Sequence, residues 1–157
     1  MALTQVGVRE HGFNRGADVE KYQRAGGGKP GDAWCSWFVS WCLRQAGVVV
    51  RAFGKAKSWF DARHVIWLNG HQVAGHPAPQ PGDLLGYTWG ADHVCHVELL
   101  QKWSEGPACQ AIGGNTGGGK ALLREGDGVF VNWRLKRNVH AVANVLDDPT
   151  YTHGELK

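Results

Sequence analysis

Residues 32–47, DAWCSWFVSWCLRQAG, predict the helix around which the fold is built. Ser36, Ser40 and Arg44 recur at every fourth position, which places them on one narrow polar stripe of a helix. Nearly all the other positions are aromatic, aliphatic or cysteine, so most of the helix surface is expected to be buried. Asp32 can cap the start of this helix, and a glycine closes the segment. The helix is therefore the predicted centre of the domain.

A different pattern begins after the Pro-Gly-Asp turn at residues 81–83. Short runs rich in β-branched and aromatic residues follow one another, with turn residues between them, as in antiparallel strands. A short helix is also predicted near residues 57–65. One buried helix followed by a run of strands indicates an α+β fold. The predicted strands cover residues 84–89, 93–103, 108–115, 128–135 and 139–146.

Length and composition indicate a single globular domain. The chain has 157 residues, of which 43% are hydrophobic and 20% are charged, and no linker or internal repeat divides it. A chain of this size can bury one full core. We expect one domain over residues 1–157, with a core at about 6–146 and a polar tail at 147–157.

The charge and hydropathy pattern gives no support for nucleic-acid binding, for membrane insertion or for a secretory signal. The net charge is +3, and the basic cluster RLKR at residues 134–137 is too small for a dedicated nucleic-acid binder. No apolar run approaches about 18 residues, so membrane insertion is not expected. The first residues lack the basic start and apolar stretch of a secretory signal.

The four cysteines are expected to be mostly free thiols. A chain of this size with a full core does not need disulfides for its stability. Cys35 and Cys42 are seven residues apart on one predicted helix, where a crosslink would join nothing new. The other two are Cys95 and Cys109.

Residues 112–121, IGGNTGGGKA, contain the spacing of a phosphate-binding loop. Gly114, Gly119 and Lys120 match G-x-x-x-x-G-K, but Ala121 stands where a Ser or Thr would hold magnesium. After Lys120 only ALLRE precedes a glycine-containing break, which is too short for the helix that would bind the phosphates. The stretch is therefore interpreted as the end of a β-hairpin.

Cys35 is the candidate nucleophile because it lies in the first turn of the predicted helix. The unpaired amides and the dipole at a helix start favour a thiolate, which can attack a carbonyl carbon. A cysteine there is also commonly a small core residue, so catalysis requires a histidine and an orienting side chain elsewhere. His93 and His96 are the candidate bases, and on a regular strand they point to opposite faces.

Hairpin geometry favours His96 as the base. A four-residue turn at residues 104–107, SEGP, pairs Trp103 with Ala108, and the same register places His96 opposite Asn115. Opposed residues on neighbouring strands share a face and lie about 5 Å apart. This brings an imidazole and a carboxamide together, as a Cys-His-Asn site requires. A bulge or a different turn would undo this register.

Several motifs in this order resemble the CHAP domains (cysteine, histidine-dependent amidohydrolases/peptidases) of phage endolysins and other peptidoglycan hydrolases. The resemblance covers roughly residues 6–135, and it implies a papain-like α+β fold in which the nucleophile helix packs on a C-terminal antiparallel sheet. The motifs are GDAWCSWFVSWCLRQAG, PGDLLGYTW, HVELL, IGGNTGGG and REGDGVFVNWR, preceded by GVREHGFNRGADVEKYQ.

The resemblance assigns roles to matching residues. Cys35 in W-C-x-x-F-V is the implied nucleophile, His96 in H-V-E-L-L the implied base, and Asn115 in G-N-T the implied orienting residue. His93 is the alternative base, because HVCHV also fits the family's H-V-G-I-V pattern. Trp34 and Trp89, next to the implied site, are the candidate substrate-binding residues, although most tryptophans are core or rim residues.

One position departs from the family pattern. Many members read E-G-N-T, where an acidic residue assists the histidine, but this chain has Gly113 there. The hairpin register places Glu98 opposite Gly113, so its carboxylate can occupy the same space. Glu98 is therefore a candidate supporting residue.

The implied reaction is hydrolysis of an amide bond in bacterial peptidoglycan, either within the stem peptide or between muramic acid and L-alanine. We expect a monomer that needs no cofactor, is made in the host cytoplasm, and reaches the cell wall through a holin or a secretion system. Two alternatives remain open. One is a non-catalytic wall-binding module, and the other is a zinc hydrolase that draws three or four ligands from His93, Cys95, His96 and Cys35.

Overall fold

The computed structural model describes residues 1–119 and 126–147. The segment after Gly119, where the sequence predicts no helix long enough to bind phosphates, lies outside these residues. So does nearly all of the predicted polar tail, from residue 148 onward.

Two α-helices precede the sheet, α1 at Ala17–Gly26 and α2 at Cys35–Gln45. The predicted central helix is confirmed, but its start is not capped by Asp32. The N-cap is Trp34, which makes no side-chain cap, and the Asp32 carboxylate instead accepts a hydrogen bond from the Lys29 amide at 2.8 Å. The aspartate therefore closes the preceding turn.

Within the described residues, the sheet has seven strands in the order β2-β1-β7-β3-β4-β5-β6, and all neighbouring strands are antiparallel. The expected α+β architecture is thereby confirmed. The strands are β1 Val65–Leu68, β2 His71–Gln72, β3 Leu84–Tyr87, β4 His96–Trp103, β5 Ala108–Thr116, β6 Gly128–Leu135 and β7 Ala141–Ala143.

The predicted helix at residues 57–65 is wrong. Only one 3₁₀ turn forms, at Ala56–Trp59, and the chain enters β1 at Val65. The Trp59 indole donates a hydrogen bond to Ser36 Oγ at 2.9 Å, which holds this turn against α2. The β-branched and aromatic residues that follow pair with β7, so sheet formation overrides the local helical pattern.

Helix α2 packs on one face of the sheet, and the two serines of its polar stripe are buried, whereas Arg44 is exposed. Ser36 Oγ donates to the Phe53 carbonyl at 2.6 Å, and Ser40 Oγ donates to the Ser36 carbonyl at 3.0 Å. Each hydroxyl therefore has a partner within the protein, as burial requires. None of the helices in residues 1–119 and 126–147 is long and apolar enough to cross a membrane.

The hairpin of β4 and β5 reaches its predicted register by a different route. Trp103 pairs with Cys109 and not with Ala108, so the turn is one residue longer than expected. A register shift between Leu100 and Lys102 compensates for this extra residue. Leu99 then pairs with Ile112, as the predicted register requires. The longer turn and the register shift therefore offset each other, and the predicted pairing holds at the end of the hairpin that approaches α2.

Candidate active site

Cys35 is the first residue of α2 and lies at the floor of an open cleft. Its side chain is nearly buried, and the first amides of the helix have no acceptors within the helix itself. The space in the cleft, including its open mouth, is about 760 Å³. We call this region the cleft; its lining includes Cys35, Lys55, Lys57, His93 and Cys95.

His96 is the first residue of β4, and it contacts the nucleophile candidate from the sheet. Its ring interacts with the Cys35 side chain strongly enough to raise the pKa of the imidazole, and Nε2 lies 3.4 Å from Glu98 Oε1. With Nε2 facing the carboxylate, Nδ1 is the ring nitrogen that remains for the thiol. The indole of Trp89 lies beside the imidazole, with the ring centroids 5.1 Å apart. His96 is 1% exposed, so bulk solvent has little access to the ring.

Glu98 binds His96 on one side and is itself held by buried donors. Arg134 Nε donates to Oε2 at 2.9 Å, and Arg134 Nη2 donates to Oε1 at 2.5 Å. The Tyr87 hydroxyl donates to Oε2 at 3.1 Å, and Arg134 Nη2 also donates to Thr116 Oγ1 at 3.0 Å. We call these five residues the buried corner, because each is at most 2% exposed.

Burial and hydrogen bonding compete in setting the charges of this corner. Burial disfavours the charged imidazole, but hydrogen bonds and attraction from Cys35 and Glu98 outweigh it and raise the pKa of His96 to about 9. Burial likewise disfavours the carboxylate, but Arg134 and His96 lower the pKa of Glu98 to about 2. At neutral pH the corner therefore contains an imidazolium, a carboxylate and a guanidinium.

Gly113 provides the space that the Glu98 carboxylate occupies. A Cβ atom at residue 113 would lie 2.6 Å from Glu98 Oε1 and 2.8 Å from its Cγ. No side chain can be accommodated there without moving the carboxylate. The expected juxtaposition of Glu98 and Gly113 is thus present, and the acid reaches this space from β4 instead of β5.

Within residues 1–119 and 126–147, no hydrogen bond joins Asn115 to His96. The register of β5 against β6 shifts between Gly113 and Thr116, and Asn115 adopts a left-handed φ of 54° within this bulge. Its Oδ1 is buried and accepts no hydrogen bond from the described residues. The bulge interrupts the pairing of β5 with β6 at Asn115, and Glu98 is the side chain that faces His96 Nε2. The orienting role of Asn115 stays a prediction.

The two histidines proposed as bases occupy different surroundings. His93 is exposed at the rim of the cleft, and its Nδ1 lies 2.6 Å from Asp92 Oδ1. His96 is buried against the thiol and the Glu98 carboxylate. The geometry therefore brings Cys35 together with His96.

The two tryptophans proposed as substrate contacts also differ. Trp34 is fully buried, stacks on Tyr22 and donates from Nε1 to Glu10 at 2.7 Å. Its assignment to substrate binding is wrong, because the ring is part of the core under α2. Trp89 is half-buried beside His96 and remains a candidate.

The sequence analysis missed Arg134, which it grouped with a basic surface cluster. On β6 the hydrophobic pattern is inverted, because Trp133 is 51% exposed and Arg134 is 2% exposed. Ordinary alternation rules place the aromatic residue inside and the arginine outside. The unmatched charge of Glu98 on a buried strand was the signal that could have indicated an arginine partner.

All four cysteines are free thiols in the described structure, as expected. Burial raises the pKa of Cys42 to about 12 and that of Cys109 to about 11. Both thiols are therefore inert core groups at neutral pH. Residues 1–119 and 126–147 bring together no group of three or more His, Cys, Asp or Glu that could hold a metal ion. The zinc alternative thus lacks a ligand set there.

A cysteine that opens a buried helix, against a histidine that opens an antiparallel strand, is the arrangement found in papain-like cysteine hydrolases. The comparison of sequences agrees with this class. The chain belongs to the CHAP domain family. The sequence model of this family matches residues 25–115, which is more than half of the chain. No curated protein and no solved structure matches it. CHAP domains are cysteine- and histidine-dependent hydrolases, and membership implies peptidoglycan amidase or endopeptidase activity in general.

Proposed function

We propose that this protein hydrolyses an amide bond of bacterial peptidoglycan, with Cys35 as nucleophile and His96 as general acid and base. The observation that carries the proposal is the buried contact between the Cys35 thiol and the His96 ring, whose Nε2 faces Glu98. A protonated imidazole beside a thiol at a helix start is the arrangement that yields a reactive thiolate. Glu98 keeps that imidazole charged and oriented.

The reaction proceeds in two steps. The Cys35 thiolate attacks the carbonyl carbon, and the negative charge that develops on the oxygen is stabilised by the unpaired amides at the start of α2. His96 gives its proton to the leaving amine, which leaves a thioester on Cys35. A water molecule then attacks the thioester after losing a proton to His96, and the acid product departs as the thiolate is restored.

The lining of the cleft suits a substrate that carries carboxylates. Lys55 and Lys57 contribute to it beside the nucleophile. Among the described residues the lining contains no acidic side chain, although Asp92 is bonded to His93 at its rim. Peptidoglycan stem peptides carry free carboxylates next to their amide bonds, so the lysines favour their approach electrostatically. The candidate bonds are those within the stem peptide and the bond between muramic acid and L-alanine.

The proposal includes an endolysin-like role in lysis of the cell wall. On this view the enzyme is made in the host cytoplasm and reaches the wall through a holin or a secretion system. Its support is the resemblance of the motifs to phage lysins. A turbidity assay on cells with permeabilised outer envelopes, across several bacterial species, tests this role and identifies the target.

Digestion of purified peptidoglycan tests the chemistry. Wild type, Cys35→Ala and the matched control Cys95→Ser are incubated with the polymer, and the fragments are read by mass spectrometry. Wild type and Cys95→Ser should release the same fragments, and Cys35→Ala should release none. Equal release by Cys35→Ala would end the cysteine mechanism. Binding without cleavage by wild type would favour the alternative of a wall-binding module, and the new amine and carboxyl ends identify the bond.

A further inference from the structure

We propose that Arg134 is a positioning residue for this reaction, acting on His96 through Glu98. The proposal rests on the function proposed above, and it assigns a role to a residue that lies outside the matched segment of the family. Arg134 binds the carboxylate of Glu98, and that carboxylate in turn faces His96 Nε2, so Glu98 connects the guanidinium to the chemistry.

The geometry gives Arg134 control of the carboxylate plane. Its Nε and Nη2 atoms bind the two oxygens of Glu98 separately, at 2.9 and 2.5 Å. Such a two-point pair fixes both the position and the rotation of a carboxylate, which a single donor does not. Oε1, the oxygen that faces His96 Nε2, is one of the two oxygens that the guanidinium binds. The orientation of the imidazole is thus set from Arg134.

The pair joins strands that are not adjacent in the sheet. Glu98 lies on β4 and Arg134 on β6, and β5 pairs with both strands. The salt bridge forms because residue 113 of β5 is glycine and leaves the carboxylate its space. Both side chains are almost completely inaccessible to water. A surface ion pair would be screened, but this one is not.

Removal of Arg134 should therefore change the charge of the corner. Full burial penalises an unpaired carboxylate, so Glu98 would take up a proton near neutral pH. His96 would then lose its anionic partner, and its pKa would fall. The loss of repulsion between guanidinium and imidazolium acts in the opposite direction. It is the weaker effect, because the guanidinium binds both oxygens of the carboxylate directly, and that carboxylate lies between Arg134 and His96.

The experiment compares Arg134→Met and Arg134→Lys with Arg137→Met, which removes an exposed arginine from the same segment. An NMR titration of the His96 imidazole measures its pKa without any substrate, and peptidoglycan hydrolysis gives kcat and KM against pH. Arg134→Met should lower the pKa of His96 and reduce kcat by about tenfold or more, the effect of losing one charge-assisted interaction. KM should change little. Arg134→Lys should restore part of kcat, and Arg137→Met should match wild type.

The double variant Glu98→Gln/Arg134→Met separates positioning from a purely structural role, and it also removes the unpaired charge that could prevent Arg134→Met from folding. If Arg134 acts through Glu98, the double variant has the kcat of Glu98→Gln alone. Losses that multiply in the double variant would overturn the proposal. So would a folded Arg134→Met protein in which the pKa of His96 is unchanged or raised. If wild type cleaves no peptidoglycan, the proposed function fails, whereas the NMR titration still decides the role of Arg134.

Discussion

The buried corner and the cleft meet at Cys35, and they treat charge in opposite ways. In the corner, the charged groups of His96, Glu98 and Arg134 lie next to one another and are buried from bulk solvent. In the cleft, Lys55, Lys57 and His93 line an opening that solvent can enter. On one side of the Cys35 thiol, charged side chains therefore set the protonation state of His96. On the other side, they are available to bind the substrate. Substitutions in the corner should affect kcat, and those in the cleft should affect KM.

The largest expected difference is between the two histidines. His96→Gln removes the group that carries the proton, and kcat/KM should fall by about 100- to 10,000-fold. His93→Gln changes an exposed side chain bonded to Asp92 and should leave kcat near the wild-type value. Both variants are compared with wild type by initial rates of peptidoglycan solubilisation. A greater loss of kcat/KM in His93→Gln than in His96→Gln would mean that His93, in the cleft, is the general base.

Glu98→Gln tests how the corner controls the proton state. The carboxylate raises the pKa of His96, so its loss should lower that pKa and move the alkaline limb of the pH–rate profile toward neutral pH. A hydrogen bond to a charged group contributes about 1.5–3 kcal/mol, which corresponds to a loss in kcat of about 10- to 100-fold. The measurement is kcat against pH from about 5 to 10, because this range spans the ordinary pKa of histidine and the raised pKa of His96. A profile that coincides with that of wild type would remove Glu98 from the mechanism.

Gly113→Ala tests whether the corner is as tightly packed as the distances indicate. The new Cβ would meet Glu98, which cannot retreat because Arg134 holds it. Overpacking of this kind should lower the free energy of unfolding by about 1–3 kcal/mol. Gly106→Ala is the matched control, because a Cβ there meets nothing within 4 Å. Urea denaturation measures both, and equal stabilities would mean that the corner can expand.

The smallest effect is expected in the cleft. Lys57→Met should raise KM by a factor of about 1.4 to 5 with kcat unchanged, since an exposed charge contributes about 0.2–1 kcal/mol. The increase should shrink as salt is added, because screening weakens the same attraction in wild type. Lys102→Met, an exposed lysine on β4, is the control. An effect on kcat instead of KM would mean that Lys57 contacts the reacting groups.

The elements that depend on local pattern could be predicted from the sequence. The apolar surface and the polar stripe of residues 32–47 indicate a buried helix whatever surrounds it, and Cys35 at its start follows from the same pattern. The strands from Leu84 onward were predicted for a similar reason. Their alternation and their turn residues lie close together along the chain.

The buried corner could be predicted only in part, because its contacts are not local. The juxtaposition of Glu98 and Gly113 follows from the hairpin register, which two adjacent strands determine. Arg134 comes from a third strand, in which the exposed Trp133 inverts the expected pattern. The left-handed bulge at Asn115 also depends on how β5 meets β6; Asn tolerates this conformation, but its presence alone does not locate a bulge.

The crowding at Gly113 restricts how this chain can change by mutation. An acidic side chain on β5 and one on β4 would occupy the same space. Gly113→Glu alone should therefore impair a protein that retains Glu98. Replacement of Glu98 alone leaves His96 and Arg134 without their common partner. Each single step is harmful, and only the two together restore one acid in the site. The two arrangements of the acid are thus separated by a fitness valley, and lineages that carry either one should tend to keep it.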